Sequence, residues 1–196
     1  MRKPRFVSLA LFAFCLAISA ALWSCAPAAK QEPAAPVAMS PEQQLARGRY
    51  LANVVGCNDC HTPGTFYGAP DTTRLFSGSE LGWKGPWGVS FASNLTPDST
   101  GIGSWTEDQI VTALREGRRP DGSPLLPPMP WPSFAHLTDE DAHAIAAYLK
   151  SIPAVHHPNV ATVPPDKKYA GAYLEFPPPP GWDAPKVPPA GAAAAK

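Results

Sequence analysis

Two cysteines three positions apart, with a histidine directly after the second, constrain this chain more than any other stretch: Cys57-Asn58-Asp59-Cys60-His61. Residues three apart on a helix share a face, so the two thiols stand about one turn from each other. That spacing suits addition to the two vinyl groups of a single haem. Two thioethers would then hold the group, with the adjacent His61 imidazole placed under the iron as proximal ligand. Half of a zinc site is a competing use of such a pair, but it needs two further good ligands, and the sequence holds no second Cys pair and no His-x3–5-His. A thioredoxin-type centre needs a βαβ pattern, which is also missing. The motif therefore predicts haem c, one per chain, attached through Cys57 and Cys60.

A cofactor of that size explains the organisation around it. Proline accounts for 26 of 196 residues and is concentrated at the two ends, where Pro- and Ala-rich tracts offer little apolar surface and no helical period. What remains, residues 40–155, is about the size of a small domain, yet it is short of regular apolar segments, as expected if its centre is not filled by protein alone. Three main helices are predicted. The first is capped by Ser40 with Pro41 and Gln43 and runs to about Val54, presenting Leu45, Tyr50, Leu51 and Val54. The second spans residues 106–116, with Thr106 and Gln109 as a capping box, Gly117 as a stop and Ile110, Val111 and Leu114 as its buried face. The third spans residues 138–150, with Asp139, Glu140 and Asp141 at its positive end and Ile145, Tyr148 and Leu149 at helical spacing. The long stretches 62–104 and 117–134 read as loops, which suits wrapping a large flat group. The expected fold class is all-α.

An iron held by His61 has a sixth position. Of the three methionines, Met1 and Met39 fall in the terminal tracts, and Met129 stands in Leu125-Leu126-Pro127-Pro128-Met129-Pro130-Trp131. Stiff flanking prolines restrict the freedom that ligation would have to remove. A thioether raises reduction potential and closes the iron to other ligands. Met129 is the favoured metal ligand, with His136 or water as the alternative. His143 reads as a surface residue, and His156 and His157 as lying outside the domain. Trp105 and Arg74 are weaker candidates for contacts to the haem propionates, against core packing and solvated surface respectively. The segment Asn94-Leu95-Thr96-Pro97-Asp98-Ser99-Thr100-Gly101-Ile102-Gly103-Ser104-Trp105 is punctuated by glycine, which allows backbone to approach the haem edge.

The N-terminus reads as an export signal over residues 1–24. Arg2, Lys3 and Arg5 precede an uncharged apolar run that is shorter than a spanning helix requires. Its end, Leu22-Trp23-Ser24-Cys25, resembles a bacterial lipoprotein lipobox and implies lipidation at Cys25. Residues 25–39 then form an Ala/Pro linker, and residues 156–196 an extended, largely disordered Pro-rich tail. Localisation would be periplasmic, on a membrane surface. Without residues 1–24 the chain holds 13 Lys and Arg against 16 Asp and Glu, a formal −3, and shows no basic stripe, which argues against nucleic acid.

With these residues in view, residues 40–155 resemble the class I cytochrome c family: helix, Cys-x-x-Cys-His, wrapping loops, a Met loop and a last helix. Gly48 and Tyr50, with Ala147-Tyr148-Leu149, look like that family's crossing of first and last helices. More narrowly, GRYLANVVGCNDCHTPG, SNLTPDSTGIGSWTEDQI and MPWPSFAHLTDEDAHAIAAYL are similar to a haem domain of the cytochrome c subunits of bacterial membrane-bound alcohol and gluconate dehydrogenases. Those subunits usually carry three such domains; one Cys-x-x-Cys-His stands here. The resemblance implies the class I cytochrome c fold and an electron carrier rather than an enzyme. Its partners would be redox proteins: a periplasmic dehydrogenase on one side, a terminal oxidase or another cytochrome on the other, with no small-molecule substrate. A haem-based redox or gas sensor with an open or weakly ligated sixth position is the alternative. A peroxidase-like enzyme would need a distal acid–base pair, and none stands out.

Overall fold

The computed structural model describes residues 39–177. The export signal expected over residues 1–24, the lipidation expected at Cys25, residues 25–38 of the expected linker and the tail from residue 178 onward lie outside the described residues.

Each predicted helix forms where its punctuation placed it. In α1 (Pro41–Val54) the Gln43 amide donates to Ser40 Oγ at 3.2 Å, and the Ser40 amide donates to Gln43 Oε1 at 2.9 Å. A cap of this kind is worth about 1 kcal/mol. Gly56, at φ 76°, then turns the chain into α2 (Cys57–His61), the motif itself. A glycine adopts that left-handed conformation without the Cβ penalty other residues meet. The helix α3 (Glu107–Glu116) carries its Thr106–Gln109 box and ends on Gly117. A short α4 (Trp131–Phe134) was not anticipated. It precedes α5 (Asp139–Ser151), where Thr138 Oγ1 accepts from the Asp141 amide at 3.1 Å and three acidic residues occupy the first turn.

The packing face of α1 differs from the expected one. Its buried residues are Gly48, Leu51 and Ala52, whereas Tyr50 and Val54 are 57% and 62% exposed and Leu45 is also exposed. The cause is the crossing with α5. A Cβ added at Gly48 would lie 1.8 Å from the Ala144 carbonyl oxygen and 2.8 Å from Tyr148 Cβ, so the helices meet backbone to backbone through small residues. Tyr148, not Tyr50, is the aromatic at this contact, and its ring packs edge-on against buried Phe76 at 6.0 Å. Arg47 adds a two-pronged ion pair to Asp141, at 2.8 and 3.2 Å. Leu51, Phe76, Ile102, Ile110, Leu114, Phe134, Ile145 and Leu149 join in one buried cluster.

The fold is not purely helical, which corrects the all-α expectation. Strand β1 (Gly82–Gly85) pairs antiparallel with β2 (Gly88–Phe91) and parallel with β3 (Tyr173–Glu175), giving the order β2-β1-β3. These strands lie in stretches read as loop and tail. They have three or four residues each, too few for an alternating pattern to stand out. Residues 156–177 likewise differ from the disordered tail expected there: they form a strap laid back across the domain. Val163 exchanges both backbone hydrogen bonds with Val89, at 2.8 and 2.9 Å. Phe176 packs on Trp83 and Trp87, and Tyr169 packs on Phe91. Composition registered the prolines there; the aromatics that hold the strap find partners 78 to 93 residues away. Among the described residues, no helix is long and apolar enough to cross a membrane.

Candidate cofactor site

The helices and the 90–105 loop enclose a cavity of about 680 Å³, within the usual range for a bound small molecule or cofactor. Its lining includes Cys57, Cys60 and His61 from α2 and Met129 from the loop before α4, with Ile102, Leu114, Phe134 and Leu149 supplying apolar wall. The structure thus brings both thiols, the imidazole and the thioether of the sequence reading to a single cavity.

The motif is fixed from several sides. Thr62 Oγ1 donates to Asn58 Oδ1 at 2.7 Å and accepts from the Phe76 amide at 3.1 Å, and the Gly78 amide donates to the His61 carbonyl at 2.9 Å. Both cysteines are free thiols. Before any thioether forms, burial pushes the Cys57 thiol up to about 11, and burial aided by the nearby Asp59 charge also raises Cys60. The His61 ring is buried, and its Nδ1 lies 2.6 Å from the Ser93 carbonyl oxygen. A carbonyl only accepts, so Nδ1 carries the proton and Nε2 keeps its lone pair. Burial lowers the His61 pKa, partly opposed by that hydrogen bond, which keeps the ring in the neutral form a metal requires.

The Met129 loop is tied to the hairpin: Ser90 Oγ donates to the Pro127 carbonyl at 2.5 Å, and Trp87 Nε1 donates to Ser90 Oγ at 3.2 Å. The 94–105 loop is tied to α5, where Lys150 Nζ donates to the carbonyls of Ile102, Gly103 and Trp105 at 3.3, 2.8 and 2.9 Å.

The weaker candidates separate. Trp105 lines the cavity and is partly buried. Arg74 does not line it; its guanidinium is held by Asp71 at 2.7 Å and Glu80 at 3.6 Å. The cation that does line the cavity is Arg119, which donates to the Pro124 carbonyl at 2.7 Å. It stands in a Gly/Pro-rich loop, where nothing in the local pattern distinguished it from a solvated arginine. His136 is exposed and off the cavity. His143 sits beside Asp108 at 3.2 Å. His157, expected outside the domain, is only 16% exposed and binds the Ser77 carbonyl at 2.6 Å and Glu80 at 2.9 Å. Buried Asn94 stood out in the sequence only as the start of the glycine-punctuated segment. Its Oδ1 accepts from the Thr96 amide and hydroxyl at 2.8 and 2.7 Å, and its Nδ2 donates to the Val155 carbonyl at 2.8 Å, joining loop and strap.

Two free thiols a turn apart, a neutral imidazole with one nitrogen already committed, a thioether and apolar walls fit a haem. Among the described residues no three His, Cys, Asp or Glu side chains converge as a metal cluster would need. A helical domain built around such a cavity defines a carrier of covalently attached haem. The sequence profile of the family described as Cytochrome c matches residues 45–153, and the chain belongs to that family, with its class I-type fold and the covalently bound haem c that membership implies. The cytochrome c subunit of the alcohol dehydrogenase (quinone) of Gluconobacter oxydans (strain 621H) is 39% identical over 108 residues, 55% of this chain and 21% of that protein. The fructose dehydrogenase cytochrome subunit of Gluconobacter japonicus is 40% identical over 106 residues, 54% of this chain and 20% of that protein. A diheme cytochrome c-type protein of Cereibacter sphaeroides is 31% identical over 158 residues, 78% of this chain and 49% of that protein. The match thus spans about a fifth of the first two relatives and about half of the third.

Proposed function

We propose that this protein is a single-electron carrier holding one haem c, with Cys57 and Cys60 as its thioether anchors and His61 and Met129 as its axial donors. The observation that carries the reading is the convergence of those four side chains on one apolar cavity. When bound, the haem supplies an iron that takes up and releases one electron. The chain's own residues set the conditions. Ser93 holds the His61 ring with Nε2 available. The Ser90–Pro127 hydrogen bond holds the loop that carries Met129. Apolar walls keep water from the centre, which raises reduction potential as thioether ligation does. That Trp105 and Arg119 line the cavity, and Arg74 does not, supports the first two as the residues that would contact the propionates.

Relatives that are cytochrome c subunits of alcohol and fructose dehydrogenases support a dehydrogenase as electron donor, with a respiratory protein as acceptor. The signal over residues 1–24 and Cys25 supports a periplasmic protein anchored by lipid, with the Ala/Pro linker spacing the domain from the membrane. Met129→Ala tests the ligand set and the closed sixth position together. The haem should stay attached, the potential should fall, and the reduced iron should bind carbon monoxide. An unchanged potential with iron still closed to carbon monoxide would remove Met129 and favour another sixth ligand.

A further inference from the structure

The carbonyl that holds the His61 ring belongs to the peptide group joining Ser93 to Asn94. The other half of that same group, the Asn94 amide N–H, donates to Asn159 Oδ1 at 2.6 Å. The chain of contacts is continuous: His61 Nδ1–H to the Ser93 carbonyl, through the peptide, and Asn94 N–H to the Asn159 side chain. We infer that Asn159 is a positioning residue for the axial histidine, acting through the Ser93–Asn94 peptide on the hydrogen bond at His61 Nδ1. The inference rests on His61 being the proximal ligand.

The physical case has three parts. Peptide resonance couples the two ends of the group, so a hydrogen bond accepted from its N–H makes its carbonyl a stronger acceptor. A stronger acceptor at Nδ1 makes the imidazole a stronger donor to the metal, the effect that outer partners exert on ligating histidines. Asn159 is also delivered to its place. On one side of it the Val155 and His157 amides donate to Thr96 and Thr100 hydroxyls at 3.1 and 3.0 Å, and on the other Val163 pairs with Val89. Its amide orientation is fixed by chemistry: the backbone N–H requires an oxygen opposite it, and Nδ2 donates to the Thr100 carbonyl at 2.9 Å. Asn159 also lines the cavity. The residue as a whole is exposed, but the Asn94 it contacts is 1% exposed. The strap therefore contributes directly to how the axial ligand is held.

The test compares Asn159→Leu and Asn159→Asp in the haem-loaded protein. The readouts are the His61 Nδ1 proton in the reduced state by nuclear magnetic resonance and the oxidised-to-reduced ratio at a fixed poised potential. Asn159→Leu removes the acceptor. Its Nδ1 proton should move upfield and exchange faster, and its oxidised-to-reduced ratio should fall about threefold, because the weakened donor favours ferrous iron. Asn159→Asp keeps an acceptor for the Asn94 amide but loses the bond to Thr100. It should hold the proton downfield and leave the ratio no lower than wild type. If Asn159→Leu keeps wild-type proton shift and ratio with its haem spectrum intact, or if both variants shift alike, the inference is overturned. A wild-type His61 proton without the displacement expected of an iron ligand would overturn the ligand assignment and this inference together, so the two failures are distinguishable.

Discussion

Gly48 shows how much one side chain governs here. An alanine Cβ would stand 1.8 Å from the Ala144 carbonyl oxygen, a backbone atom that can yield only if α1 and α5 separate. Gly48→Ala should therefore destabilise the holoprotein by about 3 kcal/mol, at the upper end of overpacking, although alanine is the better helix former. Chemical denaturation should show a lower midpoint with an unchanged slope. The same scale explains what the sequence made legible at the site. Cys57, Cys60 and His61 stand together because their spacing is local, and Met129, singled out because few methionines compete with it, lines the same cavity. Arg74 and Arg119 were not separable. Both are arginines in loops, and which one faces the cavity depends on Asp71 and Glu80 holding the first, a matter of tertiary distance.

At the scale of elements, capping chemistry carried the helices. Ser40–Gln43, Thr106–Gln109 and Thr138 mark starts that lie where the pattern put them, because a cap is a local hydrogen bond. The sheet and strap were not legible for the opposite reason. The pairing of Gly82 with Tyr173 joins segments 91 residues apart, and neither is long enough to show a period of its own. The end of the strap is held by Phe176 against Trp83 and Trp87, with the Phe176 amide bonded to the Lys84 carbonyl at 2.8 Å. Phe176→Ala should loosen this edge by roughly 1–2 kcal/mol, since the ring is only partly buried. Hydrogen exchange should then quicken about tenfold at the Gly82 and Phe176 amides, while protection in α1 and α5 stays as it was. Equal loss of protection in the helices would mean that the sheet and the helical core open as one unit.

At the scale of the whole described domain, residues 39–177, helices, a small sheet and long loops surround the cavity that would take the haem. Its parts are coupled to that cavity from each side: α2 supplies the motif, the hairpin holds the Met129 loop through Ser90, α5 holds the 94–105 loop through Lys150, and the strap meets the Ser93–Asn94 peptide. The domain's shortage of regular apolar segments points to such a centre in the sequence itself, whereas the closing of its wall by residues 156–177 depends on contacts no local pattern carries. The most direct measurement is a pyridine haemochrome assay on the exported protein, taken with its oxidised and reduced spectra. The account predicts one c-type haem per chain, a reduced c-type spectrum, and a weak near-infrared sulfur-to-iron band in the oxidised form. Protein without covalent haem, produced in cells competent to attach it, would contradict the account at its centre.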